Sequence, residues 1–312
     1  MLRQLTRLLL TCAAALLATV VQADTLNVRL LLSDNTPPYQ QFSAVLNKAI
    51  ADELNKSLAA SKASVTIIEP RVTGSAKADL IIAVGIKATE LAIAELDSPV
   101  LAVMVPKAGY EALLERYSAQ KLIKAKAVSA IYLDQPWGRQ LNFIQAALPK
   151  HDIVVGMLYS PNTSILLPRL PQGMSINARS VRSAEKLFSA LEYILDSSNV
   201  LLVIPDSEIY SSSSMRNILL TSYRKKVPLV GISQAYVNAG ALCAIYSTPE
   251  QLAWQTAAAI VSFAIGRHLP ESQHPASFSI GINQQVANSL GIDLAPPEVI
   301  RQRMGNTGEG ER

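Results

Sequence analysis

The chain has 312 residues, of which 49% are hydrophobic, 17% charged and 5% aromatic, and its formal net charge is +4. This length allows one large domain or two of ordinary size, and the composition excludes a disordered or collagen-like protein. Two cysteines exclude a disulfide scaffold and a multi-cysteine zinc module, and 28 basic against 24 acidic side chains give no reason to expect a nucleic-acid partner.

The first 23 residues predict a secretory signal peptide. Two arginines precede an apolar run over 8–18, and Val21 and Ala23 form a small-residue cleavage pattern. The apolar run is too short to span a bilayer comfortably, and an uncleaved N-terminal anchor is the alternative. We therefore expect a periplasmic protein that has lost residues 1–23 and keeps one thiol, Cys243, as a small buried apolar side chain.

After the leader, short apolar runs alternate with amphipathic segments, and the alternation occurs twice. The first half predicts strands over 26–32, 65–68, 79–85, 100–105 and 128–133, with helices over 42–58, 86–96 and 110–117. The second half predicts helices over 137–148, 183–195, 211–224 and 251–265, with strands over 153–159, 174–179, 200–204, 228–232, 241–246 and 278–282. This order predicts an α/β protein with two domains built on parallel sheets.

Ligands of parallel sheets bind beyond the carboxyl ends of the strands, so the residues that follow each strand are candidate binding residues. These strand-end segments are 33–35, 85–87, 105–107, 134–135, 160–164, 205–207 and 233–234. No nucleotide-binding fingerprint, nucleophile elbow or metal-ligand spacing accompanies them. We therefore expect no enzyme activity, no cofactor and no metal, and we interpret His268 and His274 as solvated loop residues. An exported hydrolase would need a nucleophile and a base that the sequence does not offer.

Several blocks of the chain carry a family resemblance. They are ADLIIAVG at 78–85, VGMLYSPN at 155–162, VIPD at 203–206, PLVGIS at 228–233 and ANSLGI at 287–292. In sequence, order and spacing they resemble the ABC transporter substrate-binding family with the type I periplasmic-binding-protein fold, in the branch that includes members for aromatic amino acids. The likeness runs from about residue 26 to residue 304.

The resemblance implies two Rossmann-like lobes with parallel sheets, joined by a three-crossing hinge. Lobe 1 would consist of 24–132 plus 247–275, and lobe 2 of 133–246 plus 276–312. The protein would be the periplasmic solute-binding component of an ABC-type uptake system, closing on a small polar ligand such as an amino acid. Its partners would be that small molecule and a membrane permease, and we expect a monomer. The alternative is a periplasmic ligand-sensing module that contacts a membrane sensor protein.

The resemblance also implies the binding residues. From the first lobe and the second, these are Ser33, Asp34, Gly85, Ser160, Asn162, Thr163, Ser164, Asp206, Ser233 and Gln234. The group around residue 160 would bind a ligand carboxylate through hydroxyl and helix-start N–H groups, and the last three would face the ligand's polar or amino end. The chain departs from the family pattern at Met104, Val105 and Gln234. Two acids that could pair with an ammonium group are therefore missing, and the identity of the ligand stays open.

Overall fold

A computed structural model describes residues 25–56, 64–68, 78–95, 97–117, 127–148, 152–161, 163, 170–183 and 186–305 of the chain. These residues form two α/β lobes, each built on its own sheet. The predicted signal peptide lies outside the described residues. No helix among the described residues is both long enough and apolar enough to cross a membrane.

The strands belong to two sheets, and their bounds follow the predicted apolar runs. They are β1 Thr25–Leu32, β2 Ser64–Ile68, β3 Leu80–Val84, β4 Val100–Val105, β5 Val128–Tyr132, β6 Ile153–Tyr159, β7 Met174–Ser180, β8 Val200–Leu202, β9 Leu229–Gly231, β10 Cys243–Tyr246 and β11 Ser279–Ile282. The helices are α1 Pro37–Lys56, α2 Ile86–Glu95, α3 Lys107–Arg116, α4 Trp137–Ala147, α5 Leu187–Asp196, α6 Ser212–Arg224, α7 Gln234–Ala239, α8 Pro249–Gly266, α9 Gln284–Leu290 and α10 Pro297–Met304.

The first lobe is a five-stranded parallel sheet in the order β2-β1-β3-β4-β5. Every residue of β3 and β4 is buried, because α1 and α8 cover one face of the sheet and α2 and α3 cover the other. Strands buried on both faces are continuously apolar rather than alternating. The run DLIIAVG therefore marks the centre of this lobe.

The second lobe is a six-stranded sheet in the order β11-β10-β9-β8-β6-β7. Helices α4, α9 and α10 pack on one face, and α5 and α6 pack on the other. The prediction of parallel sheets holds for this lobe except at its edge, where β11 runs antiparallel to β10. The chain leaves β10 for the first lobe and returns from it directly into β11, so the two strands run in opposite directions.

Three crossings join the lobes, as the resemblance implies. They run over 133–136, 247–248 and 274–278, between elements that pack in different lobes. Just before the third crossing, Gln273 extends the edge of the first sheet: its N–H donates to the Ala130 carbonyl at 2.8 Å and its carbonyl accepts from Tyr132 at 2.9 Å. All three crossings therefore meet beside the carboxyl end of β5.

Candidate functional site

An open cleft lies between the lobes, next to the three crossings. Its volume is about 710 Å³, which includes space open to solvent. From α3 and the crossings it is lined by Lys107, Glu111, Asp134, Gln135 and His274. From the second lobe it is lined by Trp137, Gln140, Thr163, Ile204 and Pro205.

Asp134 lies on the first crossing, after β5, and it is one of the residues that line the cleft. The Lys107 backbone N–H donates to Asp134 Oδ2 at 2.7 Å, which joins the crossing to the first turn of α3. Burial raises the pKa of Asp134 to about 6, and this effect exceeds the opposing effects of its backbone hydrogen bonds and of the Lys107 charge. The carboxyl group therefore changes its ionisation within the mildly acidic range.

The interpretation of His274 as a solvated loop residue is wrong. The residue is half-buried on the third crossing, with Nδ1 2.9 Å from the Asp134 carbonyl oxygen and its ring edge-on to Tyr132 at 5.2 Å. Burial lowers its pKa, so the neutral imidazole is favoured. The third crossing carries the ring back against β5, which the local sequence does not reveal. His268 is exposed, as expected.

A polar network holds the crossings together behind the cleft. Gln135 donates to Ser247 Oγ at 2.8 Å and accepts from Arg139 at 2.8 Å. Arg139 also donates to the Pro275 carbonyl at 2.7 Å, and Ser247 donates to the Ser277 carbonyl. These bonds connect all three crossings through side chains. Gln135 therefore belongs both to the cleft lining and to the hinge.

In the second lobe, Ser160, Thr163 and Asp206 come together at the ends of β6 and β8. The Asp206 carboxylate accepts from the Ser160 N–H at 2.7 Å and from the Thr163 hydroxyl at 2.7 Å. Its other oxygen accepts from the N–H groups of Glu208 and Ile209. Asp206 is thus surrounded by donors of the protein itself and holds Thr163 at the cleft.

Of the other predicted residues in this lobe, Ser233 and Gln234 follow β9 rather than β6 or β8. Ser160 is buried, with its hydroxyl 3.2 Å from that of Thr163. Asn162 and Ser164 lie outside the described residues. Ser233 precedes α7 without capping it through its side chain, and Gln234 bonds to Asn238 and Tyr246, both at 2.9 Å.

In the first lobe, Ser33, Asp34 and Gly85 meet at the ends of β1 and β3. The Ser33 hydroxyl accepts from the Ala88 N–H at 2.9 Å and so caps α2. Asp34 is exposed and bonds to Thr36, whose donors lower its pKa. Gly85 has φ +83°, and a Cβ there would meet the Tyr39 and Ser33 hydroxyl groups. None of the three lines the cleft near the hinge.

Met104 and Val105, two of the three departures from the family pattern, end β4. Met104 has φ +57°, a backbone conformation that few residues other than glycine adopt. It lies where the register between β4 and β5 shifts. Both side chains are buried in the lobe's hydrophobic clusters. Apolar packing has therefore replaced polar groups at this strand end.

Some cleft residues belong to strand-end segments that the sequence did indicate, and others do not. Lys107, Asp134 and Gln135 follow β4 and β5, so the strand-end rule identified them as candidate binding residues. Glu111 lies one helical turn beyond Lys107, with its carboxylate 3.7 Å from Nζ. Trp137 follows the first crossing and His274 lies on the third, so the course of the hinge places both residues at the cleft. No group of three potential metal ligands occurs within the described ranges.

Comparison with protein families gives one match. The family model described as ABC transporter substrate binding protein matches residues 44–303. No curated protein matches the sequence.

Three solved structures share the fold at low sequence identity. An ABC domain in complex with L-Trp from Streptococcus pneumonia is 17% identical, with 90% of this chain and 99% of that chain covered and a TM-score of 0.57. A ligand-free, open substrate-binding protein with adhesive properties from Clostridium difficile is 16% identical, with 88% and 97% covered and a TM-score of 0.62. A conserved domain protein from Vibrio cholerae is 15% identical, with 90% and 98% covered and a TM-score of 0.54.

Proposed function

The chain belongs to the ABC transporter substrate-binding protein family, and from this membership we propose that it is the periplasmic solute-binding component of an ABC-type uptake system. The observation that carries the proposal is the open cleft between two lobes that are joined by a hinge. Members of the family bind solutes and are not enzymes. The predicted signal peptide supports the periplasm as the location.

The solute in this proposal is small and polar, an amino acid or a similar molecule. Charged, amide and hydroxyl groups line the cleft beside the indole of Trp137, which suits a ligand with a polar head and an apolar side chain. The solved relative that contains L-Trp is consistent with such a ligand. Of the predicted binding residues, Thr163 lies at this cleft.

The lobes that would close on the solute comprise 24–132 plus 247–275 and 133–246 plus 276–312. The separate hydrophobic clusters of the two sheets support this division. In the proposal the protein is a monomer that delivers its solute to a membrane permease. Cross-linking in intact cells tests the partner, and we expect it to capture a membrane permease. Capture of a sensor kinase or cyclase would contradict the transport role and favour the signalling role.

Thermal unfolding with a panel of amino acids, short peptides, sugars and small organic acids tests solute binding. A solute at 100 times its Kd adds about 2.7 kcal/mol to the free energy of unfolding, which a melting curve resolves readily. At least one member of the panel is expected to stabilise the protein. Stabilisation by none of them would contradict the proposal.

A Thr163→Val variant tests whether the solute lies in the cleft. Loss of one neutral hydrogen bond to the solute costs about 1 kcal/mol, and the variant also loses the hydroxyl that donates to Asp206, so we expect the Kd of the stabilising solute to rise at least about fivefold. Thr221→Val, on the half-exposed surface of α6, is the matched control and leaves the Kd unchanged. Equal affinities of the two variants would place the solute elsewhere.

A further inference from the structure

The charges of the cleft are distributed unequally between its two walls. Lys107, Glu111, Asp134 and His274, the ionisable groups, all belong to α3 and the crossings. The second-lobe wall presents neutral groups, among them Thr163 and Ile204. Among the described residues, a bound solute would therefore meet the ionisable groups of the cleft at one end.

Asp134 differs from Glu111 in its contact with Lys107, whose charge acts on Asp134 without forming an ion pair. Lys107 Nζ lies 3.7 Å from the Glu111 carboxylate, while Asp134 receives the uncharged N–H of Lys107. Within the described ranges, no lysine or arginine nitrogen forms an ion pair with the Asp134 carboxylate. A partly buried carboxylate without a counter-ion is costly, and a cation brought by a ligand would remove that cost.

We propose that Asp134, with Glu111 beside it, determines specificity by accepting the positively charged amino group of the solute. This inference rests on the proposed function. It identifies the solute class as primary amines and amino acids rather than neutral sugars or simple organic acids. It also explains how the chain can bind an ammonium group although Met104, Val105 and Gln234 replace polar or acidic residues: the acids come from α3 and the first crossing.

The pH dependence of binding follows from the groups that face Asp134. These are Lys107 and Glu111 from α3, Tyr132 from β5 and His274 from the third crossing, and the Arg139 charge from α4 acts on His274. Because the pKa of Asp134 is raised to about 6, the carboxylate is ionised at pH 7.5 and largely protonated at pH 5. Burial lowers the pKa of His274, which keeps its imidazole neutral over more of this range. Loss of the Asp134 charge weakens the binding of a cation, so affinity for an amine falls about tenfold between these pH values.

The test compares solutes that differ only in the amino group. L-phenylalanine and L-leucine are titrated by calorimetry at pH 7.5 and pH 5 against hydrocinnamate and isocaproate, which keep the side chain and carboxylate but lack the amine. Wild type is compared with Asp134→Asn, Glu111→Gln and the control Glu90→Gln. The control removes an acid that pairs with Arg116 and is not among the residues that line the cleft.

We expect at least one amino acid to bind tenfold or more tightly than its analogue, to lose at least tenfold in affinity in Asp134→Asn, and to bind normally in Glu90→Gln. Glu111→Gln is expected to weaken binding less, and it gives an independent reading if Asp134→Asn folds poorly. Equal binding of an amino acid and its analogue, or wild-type affinity in both cleft variants, would overturn the inference. Binding of sugars or organic acids alone would also overturn it while leaving solute binding intact, and binding of no solute would reject the proposed function itself.

Discussion

Asp134 has opposite expected effects on stability and on binding. Its pKa in the folded protein, about 6, lies above the ordinary value of 3.8, so the folded state holds the proton more tightly than the unfolded chain. The free energy of unfolding therefore falls as pH rises from about 4 to about 6, and the ionised carboxylate destabilises the solute-free protein at neutral pH.

Replacement of this carboxyl group tests that sign. We expect Asp134→Asn to raise the free energy of unfolding by about 1–3 kcal/mol at pH 7.5 and by about half as much at pH 5, because the unfolded chain is already ionised there while the folded protein still holds the proton. Urea unfolding at the two pH values measures the difference. A variant less stable than wild type at pH 7.5 would contradict the account of Asp134 as an unpaired buried charge.

Asp206 has a structural role that its position in the sequence does not reveal. Four donors of the chain converge on its carboxylate, and Asp206→Ala leaves them without an acceptor. The cost is about 2–4 kcal/mol, since buried donors without partners lose their hydration. Asp196→Ala, which removes an exposed ion pair with Lys225, is the control and costs under about 1 kcal/mol. Similar denaturation midpoints for the two variants would show that the Asp206 contacts contribute little.

At the level of elements, the junction of β3 and α2 depends on Gly85. The residue has φ +83°, and a Cβ would collide with Tyr39 and Ser33, the residue that caps α2. Gly85→Ala is expected to destabilise the first lobe by about 2 kcal/mol or more, because backbone strain and steric overlap add. Gly291→Ala has a similar φ of +68° but open space around the Cβ, and strain alone costs about 1 kcal/mol. Equal losses in thermal unfolding would exclude the steric contribution.

The elements best predicted from the sequence are those with a strong local pattern, such as a serine cap or a continuous apolar run. The serines before α6 indicate a helix start, and Ser211 does form a capping box with Ser214. The apolar runs of β3 and β4 likewise predict central strands. Helices α7, α9 and α10 were not predicted, because six to eight residues are too few to establish a helical period.

The candidate site is less predictable than the fold because its residues are distant in sequence. His274 contacts Asp134 across 140 positions, and no spacing rule connects them. The strand-end rule reaches Lys107 and Asp134, since parallel strands bring their carboxyl ends to one edge. It cannot show which of these polar groups the protein satisfies internally, as at Asp206, and which it leaves facing the cleft.

At the level of the whole molecule, two lobes with separate cores are joined by three short crossings. Such an arrangement allows a hinge motion with little disturbance of either core.

The free thiol, Cys243, is fully buried, and burial raises its pKa to about 12. We therefore expect it to resist thiol reagents in the folded protein, and rapid labelling without denaturant would contradict its placement in β10.

The distance between the lobes tests solute binding by hinge closure most directly. Probes attached at Asn35→Cys, after β1, and Asn217→Cys, on α6, report it, since both positions are exposed and the native thiol is shielded. Addition of the stabilising solute is predicted to shorten the distance between the probes, with saturation at the same concentration that raises the melting temperature. A distance that stays constant while the solute binds would contradict closure of the two lobes on a ligand in the cleft.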